Sequence, residues 1–190
     1  MRKLLLLTAL SASFAGSSFG ALVFGLNLNG SATGSPGIGT GLVTFDETTN
    51  TMRVQVVFSG LLGSTTVAHI HCCTATPFTT PVGVATGVPT FPGFPAGVQS
   101  GSYDQTFDTT DPNNFNPPFV FGNGGTAAGA TAALIQGALD GKAYLNIHSS
   151  RNPSGEINGF LILTPEPGTF GLAGGAFAAA LLALKKRIRS

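Results

Sequence analysis

Gly41-Leu42-Val43-Thr44-Phe45-Asp46-Glu47-Thr48-Thr49-Asn50-Thr51-Met52-Arg53-Val54-Gln55-Val56-Val57-Phe58 reads as two strands and the loop between them. Met52, Val54, Val56 and Phe58 alternate with Arg53 and Gln55, so one face of the second run is apolar and the other mostly polar. Asp46 to Asn50 are residues that favour turns, which makes the pair a hairpin. Further strand-like runs cover residues 21–28, 67–71, 102–107, 143–148 and 156–163, with Asn152-Pro153-Ser154-Gly155 as the turn between the last two. Short strands at this spacing predict an all-β sandwich or barrel. One helix is expected over residues 126–140, with Gly141 past its end as the C-terminal cap. Residues 74–121 are rich in Pro and Phe and have no period. They predict a long ordered excursion, packed by Phe91, Phe94, Phe107, Phe115, Phe119 and Phe121.

The two ends of the chain read differently. Met1-Arg2-Lys3 is positive, residues 4–12 are apolar but too short to span a bilayer, and small residues follow. This is the pattern of a secretory signal peptide over residues 1–20, cleaved after Ala15 or Gly20. An uncleaved N-terminal anchor is the alternative. At the other end Thr164-Pro165-Glu166-Pro167 punctuates the chain, because each Pro fixes φ and lacks an N–H. Residues 168–184 are apolar and nearly uncharged, and as a helix they would be about 26 Å long, close to the thickness of a hydrocarbon core. Lys185, Lys186, Arg187 and Arg189 would hold that end on the cytoplasmic side. The domain proper is therefore residues 21–163, and the tail is residues 164–190.

The net charge of +1 hides an asymmetry. Between the two ends only Arg53, Lys142 and Arg151 stand against Asp46, Glu47, Asp104, Asp108, Asp111, Asp140 and Glu156, a balance of −4. Phosphate neutralisation needs clustered Lys and Arg, so nucleic acid is excluded as a partner. No Gly-x-Ser-x-Gly elbow is present. The Asp108 to Asn114 segment lacks the Asp-Gly pattern of a calcium loop. Scattered carboxylates alone are no sign of a glycosidase.

Two motifs carry the candidate chemistry. In Ala68-His69-Ile70-His71-Cys72-Cys73 a strand would place His69, His71 and Cys73 on one face. In Ala143-Tyr144-Leu145-Asn146-Ile147-His148, followed by Pro153-Ser154-Gly155-Glu156-Ile157, Tyr144, Asn146 and His148 share a face. His69, His71 and His148 are all the histidines of the chain, and together they could hold Zn or Cu. Equally they could act as polar struts bonded to Asn146, Glu156 or backbone, which makes Asn146 and Glu156 candidate supporting residues. A dismutase would need a fourth His, so no enzyme is expected. Cys72 and Cys73 could form a vicinal disulfide, pair with other chains, offer Cys73 as a soft ligand, or remain two small buried thiols.

These motifs resemble the CHRD domain, a module named for chordin, over about residues 22–163. The Cys72-Cys73 pair and the Phe91-Pro92-Gly93-Phe94-Pro95 loop resemble its sorted bacterial subgroup. The resemblance implies an immunoglobulin-like or Cu,Zn-dismutase-like Greek-key β-sandwich and supplies no established activity. Where the family usually has Arg or Lys soon after Gly-Glu-Ile, this chain has Asn158, which argues against a basic binding site there. The tail is similar to the PEP-CTERM sorting signal. That resemblance implies recognition of Pro165, Glu166 and Pro167 by an exosortase at the inner membrane, with residues 185–190 as the stop signal. An ordinary single-pass anchor is the alternative. The expectation is an exported protein, transiently anchored and then passed to the cell surface or extracellular matrix. There it would have a structural or binding role, with exopolysaccharide as a partner. The other reading is a metal-binding extracytoplasmic domain, with redox activity as its extension.

Overall fold

The computed structural model describes residues 20–164. The signal peptide over residues 1–20 (Gly20 apart), the motif Pro165-Glu166-Pro167, the apolar run 168–184 and the basic residues Lys185, Lys186, Arg187 and Arg189 lie outside them. Among the described residues no helix is long and apolar enough to cross a membrane.

Among the described residues eight strands and two α-helices follow in chain order: β1 Leu22–Gly30, β2 Ser35–Asp46, β3 Thr51–Ser59, β4 Thr65–His71, β5 Gly101–Asp108, α1 Pro117–Gly122, α2 Ala127–Leu139, β6 Tyr144–Ser149, β7 Ile157–Phe160 and β8 Ile162–Leu163. The pairings are antiparallel, in the order β4-β6-β7-β1-β2-β3-β5, with β8 on β1. The hairpin read from the sequence is present, with Val43 opposite Val54 and Phe45 opposite Met52. Phe24, Leu26 and Leu28 from β1, Val43 and Phe45 from β2, and Met52, Val54, Val56 and Phe58 from β3 point inward. From the other end of the sheet Ala68, Ile70, Leu145, Ile147 and Ile157 join the same apolar cluster. Two ends of one sheet that bury their side chains together must curl toward each other. The architecture is thus mostly β, as the alternation predicts. Its pairings run unbroken through β7 and β1, joined at Asn29 and Asn158, and do not divide the strands into two separate Greek-key sheets.

The run over residues 156–163 is two strands, a correction to the single strand expected. Leu161 closes the β6–β7 pairing by donating its N–H to Ala143 O, and after it β8 turns onto β1. Beyond β8, the backbone N and the Oγ1 of Thr164 both donate to Val23 O, at 2.8 and 2.7 Å. Helix α2 begins where Thr126 Oγ1 accepts from Gly129 N, and Gly141 follows it with φ +69°. The short helix α1 was not anticipated.

The Pro-rich excursion seals the free edge of β4. Ala85 N donates to Ile70 O, Phe91 N to Ala68 O, and Thr65 N to Val98 O. Ala68 N and Ile70 N donate to the hydroxyls of Thr90 and Thr86. Side-chain oxygens and irregular backbone thus cover an edge that would otherwise invite another strand. Phe91, Phe94, Phe107 and Phe115 are buried and Phe119 packs against the core, but Phe121 is 87% exposed and anchors nothing.

Candidate metal site on the β4–β6 face

Strands β4 and β6 pair with His69 opposite Asn146 and His71 opposite Tyr144. Strand alternation then sends Ala68, Ile70, Leu145 and Ile147 into the core and puts all three histidines together on the other face. That face is covered by the excursion and by the β6–β7 turn, so His69, His71 and His148 are all buried. One ring nitrogen from each lies within 4.8 Å of the other two. The ring centroids are 5.5–6.0 Å apart. His71 also stacks on Tyr144, at 5.0 Å and nearly parallel.

Each ring has one nitrogen on a backbone carbonyl: His69 Nε2 on Pro89 O at 2.6 Å, His71 Nδ1 on Val82 O at 2.7 Å, His148 Nδ1 on Pro153 O at 2.8 Å. A carbonyl can only accept, so each of these nitrogens carries the proton. In the neutral ring the other nitrogen is then a bare lone pair. Those nitrogens, His69 Nδ1, His71 Nε2 and His148 Nε2, are buried and have no hydrogen-bond partner among the described residues. Burial pushes the His69 imidazole down to about 4; the Pro89 bond opposes this and the neighbouring imidazoles of His148 and His71 add to it. His71 is lowered by burial too, against the Val82 bond. Burial thus favours the neutral form of His69 and His71, in which the unbonded nitrogen presents a lone pair. Orienting a metal-binding imidazole through a backbone carbonyl is the usual way to hold such a ligand. Three convergent imidazoles suit Zn or Cu.

The supporting roles expected for Asn146 and Glu156 need correction, because the histidines bond to backbone and to neither of them. Asn146 Nδ2 donates to Ser154 O at 3.2 Å, and its Oδ1 is buried without a partner. Glu156 lies with Ser149, on the face of β6 opposite to His148. It accepts from Ser35 Oγ at 2.6 Å, Leu62 N at 2.5 Å, Gly63 N at 3.2 Å and Ser149 Oγ. Burial alone would raise this carboxyl, but the bonds from Ser149, Ser35, Leu62 and Gly63 outweigh it and hold it at about 2. Ser149 and Glu156 bracketing the turn were the available signal for this cluster.

Cys72 and Cys73 are joined in a vicinal disulfide, so neither sulfur is a metal ligand. Gly137 of α2 packs on them, and a Cβ there would collide with both sulfurs. None of the four main clefts of the described residues is lined by a histidine. One of them, about 400 Å³, lies between the β2–β3 loop and α2.

The fold and the site define a β-domain that holds a buried cluster of three oriented imidazoles. The model of the CHRD domain matches residues 24–161, and the chain belongs to the CHRD family. No curated protein and no solved structure matches it.

Proposed function

We propose that this chain is an exported CHRD domain that holds one Zn or Cu ion on His69, His71 and His148, in a structural rather than a catalytic capacity. One observation carries the reading: each of three buried imidazoles has one nitrogen held by a backbone carbonyl, which in the neutral ring leaves the other as a lone pair, and ligand nitrogens of the three lie within 4.8 Å of one another. Acceptors cannot satisfy one another, and an unpaired buried acceptor costs about 1–3 kcal/mol. A cation removes all three penalties together.

The test is the metal content of the purified full chain beside His71→Gln. About one equivalent of Zn or Cu in the wild type, lost in the variant, is the expected result. A metal-free wild type that takes up neither ion on reconstitution ends the reading.

The same proposal includes export, exosortase processing at Pro165-Glu166-Pro167 and delivery to the envelope or matrix. The Cys72–Cys73 disulfide supports an oxidising compartment. The low charge of the body and its Thr- and Asn-rich surface favour a structural or adhesive role beside exopolysaccharide. Deleting residues 165–190 should strand the protein short of the surface, and unchanged delivery would refute the sorting role. On the fold side, the shared core of the two sheet ends supports reading the curled sheet as the two layers of an immunoglobulin-like or dismutase-like sandwich.

A further inference from the structure

Asn146 is 5% exposed, and its amide orientation is fixed because Nδ2 donates to Ser154 O, which can only accept. Oδ1 is therefore an acceptor, and it has no partner among the described residues. It stands directly opposite His69 in the β4–β6 pairing, and two residues before His148 on the same face of β6. Among the described residues the buried side-chain polar atoms without a partner are His69 Nδ1, His71 Nε2, His148 Nε2 and Asn146 Oδ1. All four are acceptors, and all four residues lie on this one face.

The β6–β7 turn is shaped around that amide. Pro153 O holds His148, and Ser154 O, one residue on, holds Asn146. Gly155 then passes so close, with φ +118°, that any Cβ would collide with the Asn146 amide. Two consecutive carbonyls thus orient two consecutive outward residues of β6. Leaving one buried amide oxygen bare beside three bare imidazoles serves no purpose in a polar strut.

Resting on the metal-holding reading, we propose that Asn146 Oδ1 is the fourth ligand. It closes the site as three imidazoles and one amide oxygen around a tetrahedral divalent ion. Four protein ligands are the mark of a structural site, whereas a catalytic site keeps one position for water or substrate. The turn residues Pro153, Ser154 and Gly155 act as positioning residues for His148 and Asn146.

Co2+ reports coordination through its visible spectrum, and azide reports an open position. In the full chain loaded with Co2+, the wild type should show a four-coordinate spectrum that azide leaves unchanged. Asn146→Ala should bind Co2+ at least about tenfold more weakly, and its spectrum should respond to azide. Asn146→Asp, which keeps an oxygen in place and adds charge, should bind more tightly and remain insensitive to azide. It keeps the test informative if the alanine variant fails to fold. A wild-type spectrum that azide alters, equal affinity in Asn146→Ala, or no gain in Asn146→Asp would each remove Asn146 from the ligand set while leaving the three-histidine site standing. A wild type that binds no Co2+ or Zn2+ would remove both.

Discussion

Strand β6 separates two buried polar clusters that are balanced in opposite ways. On one face the carboxylate of Glu156 is surrounded by donors: two serine hydroxyls and the backbone N–H groups of Leu62 and Gly63. On the other face three imidazoles and an amide oxygen present only acceptors. The first cluster is complete within the chain and ties β2, the β3–β4 connection, β6 and β7 together. The second has no donor among the described residues, and the proposal completes it with a cation. On the metal-holding proposal, the difference separates a polar group kept for the fold from a polar group kept for a ligand, although both are buried.

The largest effect should come from breaking the complete cluster. Glu156→Gln replaces an acceptor oxygen by a donor among four donors, and should lower stability by about 3 kcal/mol in chemical denaturation, with or without metal. A loss that appears only in the metal-loaded protein would erase the distinction between the clusters. The opposite signature is expected of His71→Gln. Its melting point should match that of the chelated wild type and stop responding to Zn2+, whereas the wild type gains stability with metal concentration. Equal destabilisation of the loaded and chelated proteins would make the histidines struts.

Acid sharpens the comparison further. The Glu156 carboxyl sits at about 2 in the fold, against an ordinary 4.5. A folded pKa below the unfolded one means that the unfolded chain binds more protons between those values. The stabilisation is therefore full above pH 4.5 and lost as pH falls toward 2. Urea midpoints of wild type and Glu156→Gln should converge across that window, and a constant gap would count against the carboxylate. The smallest effect is a control distant from both clusters. Thr126→Ala removes the N-cap of α2 and should cost about 1 kcal/mol, with no change in metal content.

What could be read from the sequence follows physical range. The β2–β3 hairpin was legible because alternation and turn chemistry are local. So was α2, through Thr126 at its start and Gly141 past its end. The break between β7 and β8 was not, since Phe160-Leu161-Ile162-Leu163 contains no punctuation. Helix α1 was hidden among prolines. For the site, the spacing of His69 and His71 and the phase of His148 placed three histidines on two faces. Only the register of β4 against β6 merges those faces, and that register joins segments more than seventy residues apart. The carbonyls of Val82, Pro89 and Pro153 were invisible because a backbone oxygen leaves no trace in residue identity. Glu156 was assigned to the wrong cluster because two of its four donors are also backbone.

The described domain begins and ends at one seam: Leu163 pairs with Phe24, and Thr164 is fastened to Val23. A pull on the chain beyond Thr164 would meet β8 first, a strand two residues long. Its bonds to β1 would open in succession, as a zipper does, rather than all at once in shear. β4, which carries two of the histidines, is an end strand separated from β1 by β6 and β7, and takes no part in that first yielding. A tethered copy of this protein would therefore have a mechanical fuse, slackening at its hem under load while the three-histidine face stayed intact.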